Sequence, residues 1–112
     1  PMKKHAALVS LAATALFGAG AAHAALDNAQ AEAMMKKDGC AACHAVDKKI
    51  VGPAYNDVAA KYKGNKDAQA MLVKKVKDGG VGVWGQIPMP PNSAVPQGDI
   101  DQLVAWILTL KK

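Results

Sequence analysis

Residues 37–47 read KDGCAACHAVD and hold the chain's two cysteines, Cys40 and Cys43, with His44 directly after the second. Four uses of such a pair compete. A structural disulfide here would close a very short loop and remove little chain entropy. A thiol redox pair expects a βαβ setting and a helix N-terminus that lowers one thiol's pKa; no strand-like alternation runs through this sequence. A structural zinc site needs four ligands. The histidines are His5, His23 and His44, and the first two fall in a stretch set apart below, so two cysteines and one imidazole leave the cage open. The fourth use is Cys-x-x-Cys-His as the attachment site of a c-type haem. Thiols about one helical turn apart can each add to one vinyl group of a porphyrin, and the next residue sends its imidazole toward the iron.

The flanking sequence agrees with an exported cofactor protein. Lys3 and Lys4 precede an apolar run from Ala6 to Phe17, and small residues then lead to Ala22-His23-Ala24. A charged region, an apolar region and an A-x-A-like site form a secretory signal. Cleavage after Ala24 is expected, leaving residues 25–112 as one domain in the periplasm. The apolar part is shorter than the ~20 residues a membrane span needs, so no stable membrane insertion is expected after cleavage. Pro1, ahead of the apparent initiator Met2, is read as an artefact. All 14 basic residues are lysine, and with 9 acidic residues they leave the chain at +5. Without arginine, or basic runs interleaved with aromatics, nucleic acid is not an expected partner. Beyond residue 24 the aromatic residues are Tyr55, Tyr62, Trp84 and Trp106. A domain this small needs help beyond its own core, and a large apolar plate would supply the missing bulk.

The patterning is helical. Asp27 or Asn28 can cap a helix to about Asp38, with Ala31, Met34 and Met35 at helical spacing and Gly39 after its end. Asn56 or Asp57 is expected to start a short helix reaching Tyr62. Asn65 or Asp67 opens another, with Met71, Leu72, Lys75 and Val76 on connected turns and Gly79-Gly80 beyond it. Residues 79–97 are rich in Gly and Pro and read as a long ordered loop, which needs a reason. The last helix is expected from about Gly98 to Leu110, with Ile100, Leu103, Val104, Ile107 and Leu108 as a wide apolar stripe.

With His44 on one side of an iron, the opposite position separates ligand or peroxide chemistry from electron transfer. No second histidine remains beyond residue 24. Lysine would have to lose its proton. Met34 and Met35 precede Cys40 by too little to reach the far face, and Met71 reads as core. Met89 stands between Pro88 and Pro90 in the long loop, where two prolines hold the backbone extended and present one side chain in a fixed place. Met89 is the expected sixth ligand.

CAACHAVDKKIVGPAY, then GVGVWGQIPMPPN, then the Leu-Val-x-Trp-Ile-Leu of the last helix resemble bacterial class I cytochromes c of the cytochrome c-551 type. The similarity runs through residues 25–112 in order. It implies an all-α fold of about four short helices wrapped around one covalently attached haem c, with a long Pro-rich ligand loop. It implies Cys40 and Cys43 as thioether attachments and His44 and Met89 as axial iron ligands. It places the Pro53 carbonyl on the His44 ring N–H, Trp84 near a haem propionate with Lys75 as a weaker second contact, and Asn92 near the Met89 sulfur. The implied function is that of a soluble, monomeric periplasmic electron carrier and not an enzyme. The implied partners are periplasmic redox proteins such as a nitrite reductase, a terminal oxidase, a small copper protein or a photosynthetic reaction centre. Lys36, Lys37, Lys48 and Lys49 flank the attachment site, and a basic rim there would steer an acidic partner.

Overall fold

The computed structural model describes residues 25–111; the expected signal stretch, residues 1–24, lies outside them. Four helices and one tight turn follow in order: α1 (Asn28–Lys37), a 3-10 turn (Cys40–Ala42), α2 (Tyr55–Lys61), α3 (Ala68–Asp78) and α4 (Gln97–Ile107). No strand forms among the described residues. Two isolated antiparallel pairs, His44 with Lys49 and Gly80 with Met89, stand outside the helices.

Local chemistry sets most of these boundaries. Asp27 Oδ1 accepts from the Gln30 backbone N–H at 2.7 Å, and Gln30 Oε1 accepts from the Asp27 N–H at 2.9 Å. This reciprocal box satisfies two amides that would otherwise be orphaned at the start of α1. Gly39 ends the turn out of α1 with φ of 85°, a left-handed conformation that a Cβ resists, and so swings the chain into the cysteine segment. α2 begins differently from the sequence expectation. Neither Asn56 nor Asp57 caps it; the helix starts at Tyr55 behind Ala54, with no side-chain cap. The Tyr55 and Asn56 amides donate instead to the carbonyls of Ala45 and Val46, at 3.0 and 2.9 Å. A backbone cap from the segment after His44 replaces the side-chain cap. α4 ends at Ile107, short of the expected Leu110, and the Thr109 hydroxyl donates to the Trp106 carbonyl at 2.6 Å.

The core lies where α1 and α4 meet over α2. Ala31, Met35, Tyr55, Val58, Leu103, Trp106 and Ile107 form one buried cluster. Ala31 is 0% exposed, and its small side chain lets the two helices approach closely. Trp106 fills the remaining space, and its indole N–H donates to Asn28 Oδ1 at 3.1 Å, so its one polar group is not stranded. Ile100 and Val104 are fully buried, each stabilising by about 1.5–3 kcal/mol. Met71 departs from the expectation of a core position: it is 42% exposed. α3 turns inward through Ala68, which is buried, and Leu72, which packs against the core cluster.

A charged junction joins the end of α1 to the start of α4. Lys37 at the end of α1 pairs with Asp99 in the first turn of α4 at 2.9 Å. Beside them, Asp38 Oδ2 is buried with no donor. Burial, then the facing Asp99 carboxyl, push Asp38 above its ordinary carboxylate value. Lys37, then Asp38, hold Asp99 below its own. The raised Asp38 contributes stability that is complete below the ordinary value of 3.8 and is lost as pH rises through the raised one. The lowered Asp99 acts oppositely, its contribution fading as pH falls through the lowered value. Asp38→Asn gives Asp99 a permanent N–H neighbour. The variant is expected to be the more stable protein at about pH 7, with the difference closing by about pH 4, as read from urea denaturation of the holoprotein at both values. An equal difference at both pH values would contradict the raised Asp38 carboxyl.

Candidate functional site

The site begins with a chain reversal. After the 3-10 turn, the Cys43 and His44 amides donate to the Cys40 carbonyl at 3.1 and 3.0 Å. The chain then doubles back, and the amides of Val51 and Gly52 both donate to the Cys43 carbonyl, at 3.1 and 2.7 Å. This brings residues 52 and 53 against the imidazole. His44 Nδ1 lies 2.8 Å from the Pro53 carbonyl oxygen. A carbonyl only accepts, so Nδ1 carries the proton and Nε2 keeps its lone pair. A Cβ on Gly52 would sit 2.5 Å from His44 Cε1 and 3.0 Å from Nε2; the ring rests on bare backbone that only glycine provides. Tyr55 stacks on the imidazole at 4.8 Å between centroids, and Trp106 meets Tyr55 edge-on at 6.2 Å. A relay of rings thus ties His44 to the helical core.

Cys40 and Cys43 are half-buried and are not joined to each other by a disulfide. Burial pushes the Cys40 thiol above its ordinary value, with the Tyr55 hydroxyl opposing. A redox-active pair needs the reverse, a thiol made acidic by its surroundings.

Met89 is held by backbone on both sides of its Cα. Its N–H donates to the Gly80 carbonyl at 2.8 Å, and its carbonyl accepts from the Gly80 N–H at 3.0 Å. Gly79 takes φ of 74°. A Cβ there would overlap the Met89 carbonyl oxygen and come within 2.8 Å of the Pro91 nitrogen. Asn92 fastens the far side of the loop. Its backbone N–H reaches the carbonyls of Val76 and Lys77 at 3.2 and 3.1 Å. Its side-chain Nδ2 donates to Val76 O at 2.9 Å and Pro90 O at 3.1 Å. The resemblance places this amide near the Met89 sulfur; in the structure its donors go to backbone carbonyls, and Asn92 staples the loop to the C-terminal turn of α3, whose last carbonyls lack helical partners.

These parts surround one cavity of about 260 Å³. Its lining includes all eight residues singled out from the sequence: Cys40, Cys43, His44, Pro53, Lys75, Trp84, Met89 and Asn92. The α4 residues Ile100, Leu103, Val104 and Ile107 form its apolar floor. Val51, Val81, Val83 and Ile87 also line it while remaining 42–66% exposed, the kind of grouped apolar surface that marks a binding site in a single chain. Lys75 is half-buried, with Nζ within 2.7 Å of where a Gly80 Cβ would stand. Sequence reasoning did not find Gly52, Gly79 or Tyr55, whose roles arise from close approaches that no local pattern encodes.

A small helical domain with an apolar cavity, two thiols on its lining, an imidazole of fixed tautomer and a backbone-clamped thioether has the donor set that a covalently bound haem requires. The chain matches the family model for cytochrome c over residues 28–111. It is 61% identical over 77 residues to cytochrome c-551 of Allochromatium vinosum, covering 69% of this chain and 82% of that protein. Cytochrome c-552 of Nitrosomonas europaea is 52% identical over 108 residues, spanning 96% of this chain and 99% of its own length. The crystal structure of the latter, wild type, superposes with a TM-score of 0.69 at 54% identity, covering 71% of this chain and 99% of that one. The chain belongs to the cytochrome c family, in its c-551 and c-552 group of small all-α class I proteins. It is accordingly a haem-based electron-transfer protein rather than an enzyme, with one covalently attached haem c as its cofactor.

The backbone contact at Gly79 can be separated from simple left-handed strain. Gly64 has a similar φ of 80°, but a Cβ there meets nothing within 4 Å. Gly64→Ala is expected to cost the strain alone, roughly 1–2 kcal/mol. Gly79→Ala is expected to cost distinctly more, because the Met89 segment must also move. Denaturation midpoints of the two holoproteins give the comparison, and equal losses would refute the close approach.

Proposed function

We propose that this chain is a soluble periplasmic carrier of single electrons, with Cys40 and Cys43 as the thioether attachments and His44 and Met89 as the axial ligands of its haem iron. The observation that carries the reading is the pairing of two backbone-fixed donors on one apolar cavity: His44, whose Nδ1 is 2.8 Å from Pro53 O, and Met89, bonded twice to Gly80. When bound, the haem supplies a one-electron iron couple, and ligation by His and Met raises its potential. The chain supplies fixed geometry. Pro53 holds the imidazole orientation and makes Nε2 the donor atom. The Gly80 bridge, Pro88 and Pro90 fix where the Met89 side chain leaves the backbone. α4 and the valines of the loop keep the cavity apolar, which disfavours added positive charge on the iron. Trp84 and Lys75 stand on the cavity lining as the polar contacts proposed for the propionates.

The export reading rests on the pattern of residues 2–24 and on the cofactor chemistry. The proposed partners are periplasmic redox proteins with an acidic docking face, among them the nitrite reductases, terminal oxidases, small copper proteins and reaction centres implied by the resemblance. Lys36, Lys48 and Lys49 are exposed around the attachment segment. Lys37, counted with them from sequence, is committed to Asp99.

Two measurements test the reading. The oxidised holoprotein is expected to show the near-infrared sulfur-to-iron band, and its reduced spectrum to ignore carbon monoxide. Met89→Ala is expected to lose the band, bind carbon monoxide, and drop in potential by a sizeable part of the roughly 0.8 V that axial ligation commands. Carbon monoxide binding by the wild type, or identical behaviour of the two proteins, would overturn the ligand pair. For the basic rim, electron transfer to an acidic partner protein is expected to slow by about tenfold from low to physiological ionic strength; a flat response would remove the steering.

A further inference from the structure

The lobe of the ligand loop formed by residues 81–88 is the most open part of the site. Every residue in it is exposed. Its base is pinched by the Gly80–Met89 pair, and within it the Gly82 amide donates to the Gly85 carbonyl at 3.0 Å. Gly82 and Gly85 both have positive φ, 109° and 121°, so the lobe is built on two positions of high backbone freedom. Yet it carries Trp84, Val83 and Ile87, which line the cavity. A segment with few internal bonds and this much exposure opens easily unless something outside holds it.

Lys61 supplies an outside contact. It is the last residue of α2, exposed, and not part of the cavity lining. Its Nζ lies 5.8 Å from the Tyr62 ring centroid and 5.7 Å from that of Trp84. Both distances fall within the range at which an ammonium is attracted to an aromatic face. Tyr62 and Trp84 both line the cavity, one on the helical body and one on the lobe. The ammonium therefore joins the two aromatic residues across the cavity mouth from the solvent side.

We propose that Lys61 is a positioning residue: its ammonium, shared between Tyr62 and Trp84, latches the 81–88 lobe onto the end of α2 and holds the Trp84 ring at the cavity. The ring placement stands whatever fills the cavity; its consequence for electron transfer rests on the haem reading above. A latched lobe keeps water from the cavity mouth and keeps Trp84 in one orientation. Electrostatic attraction to a ring face suits this place. It needs no buried partner, and it tolerates the sliding of a glycine-rich lobe better than a directional hydrogen bond.

The test is hydrogen–deuterium exchange of the holoprotein, followed by mass spectrometry of a peptide covering 81–88, with α4 as internal reference. Lys61→Met keeps the aliphatic stem and removes the charge. Exchange in the lobe is expected to rise about two- to fivefold, with α4 unchanged. Lys61→Arg, which keeps a cation able to sit over a ring, is expected to restore the wild-type rate. On a Trp84→Leu background, Lys61→Met is expected to add little, because the partner is already gone. Unchanged exchange in Lys61→Met, failure of Lys61→Arg to rescue, or an undiminished effect without Trp84 would each overturn the latch. If Trp84→Leu does not fold, the arginine rescue decides alone. Exchange in the lobe is read independently of the sulfur-to-iron band, so the latch and the ligand pair can fail separately.

Discussion

The structure depends on one hydrogen bond, from His44 Nδ1–H to the Pro53 carbonyl at 2.8 Å. It fixes the tautomer, and with it which ring nitrogen is left to donate. Everything around it makes that bond hard to break. Gly52 removes the Cβ that would push the ring away. Pro53 restricts its own backbone. α2 starts immediately afterwards, capped by the carbonyls of Ala45 and Val46, so the residues following His44 and those following Pro53 are locked together. Tyr55, the first residue of that helix, covers the imidazole and passes the constraint to Trp106. Trp106 in turn is bonded to Asn28 at the start of α1. The imidazole of His44 is thereby referred, contact by contact, to the place where α4 meets α1.

The sulfur side is organised by different means. Met89 lies on a loop and has no helix behind it. Its place comes from two backbone bonds to Gly80, two flanking prolines, and Asn92 pinned to the end of α3. These are local and few. Backbone bonds on a loop are worth only about 0.5–1.5 kcal/mol each net, against the several buried side chains that support His44. The support therefore thins from the helical core at His44 toward the loop at Met89. The exposed 81–88 lobe, with its two positive-φ glycines, extends the same gradient outward.

The sequence made some of this legible and concealed the rest, for reasons particular residues show. Cys40, Cys43 and His44 stand out in the sequence because of their spacing, and Met89 because prolines flank it on both sides; the structure brings all four to one cavity. The α4 stripe was readable because five apolar residues repeat at helical spacing. The start of α2 was misplaced because its cap comes from carbonyls, which carry no side-chain signature. Met71 was taken for core because periodicity gives a face but not the direction in which that face is turned. Asn92 was found by resemblance, but its bonding partners are backbone atoms. The close approaches at Gly52 and Gly79 are not visible along the chain, because a glycine needed for close approach looks, in sequence, like any loop or helix-ending glycine. What periodicity and reactive groups encode is visible along the chain; what depends on backbone meeting backbone appears only after folding.

That division follows from what an electron carrier of this size must do. Its ligands must stay in place through a change of one unit of charge, so the rigid element has to lie close to the iron and cannot be a large core. Among the described residues, one buried cluster is built on a single tryptophan and a single tyrosine, and its Tyr55, Val58, Leu103 and Ile107 also line the cavity. The aromatic-poor composition that called for outside apolar bulk is met at the cavity, which Val81, Val83 and Ile87 of the loop and Ile100, Leu103, Val104 and Ile107 of α4 line with apolar side chains. An apolar lining of this kind would let a bound haem take part in the packing, and it disfavours added positive charge on the iron such a group carries. Leu103 and Ile107 belong both to the core cluster and to the cavity lining, so a substitution there acts on the packing of the fold and on the site together.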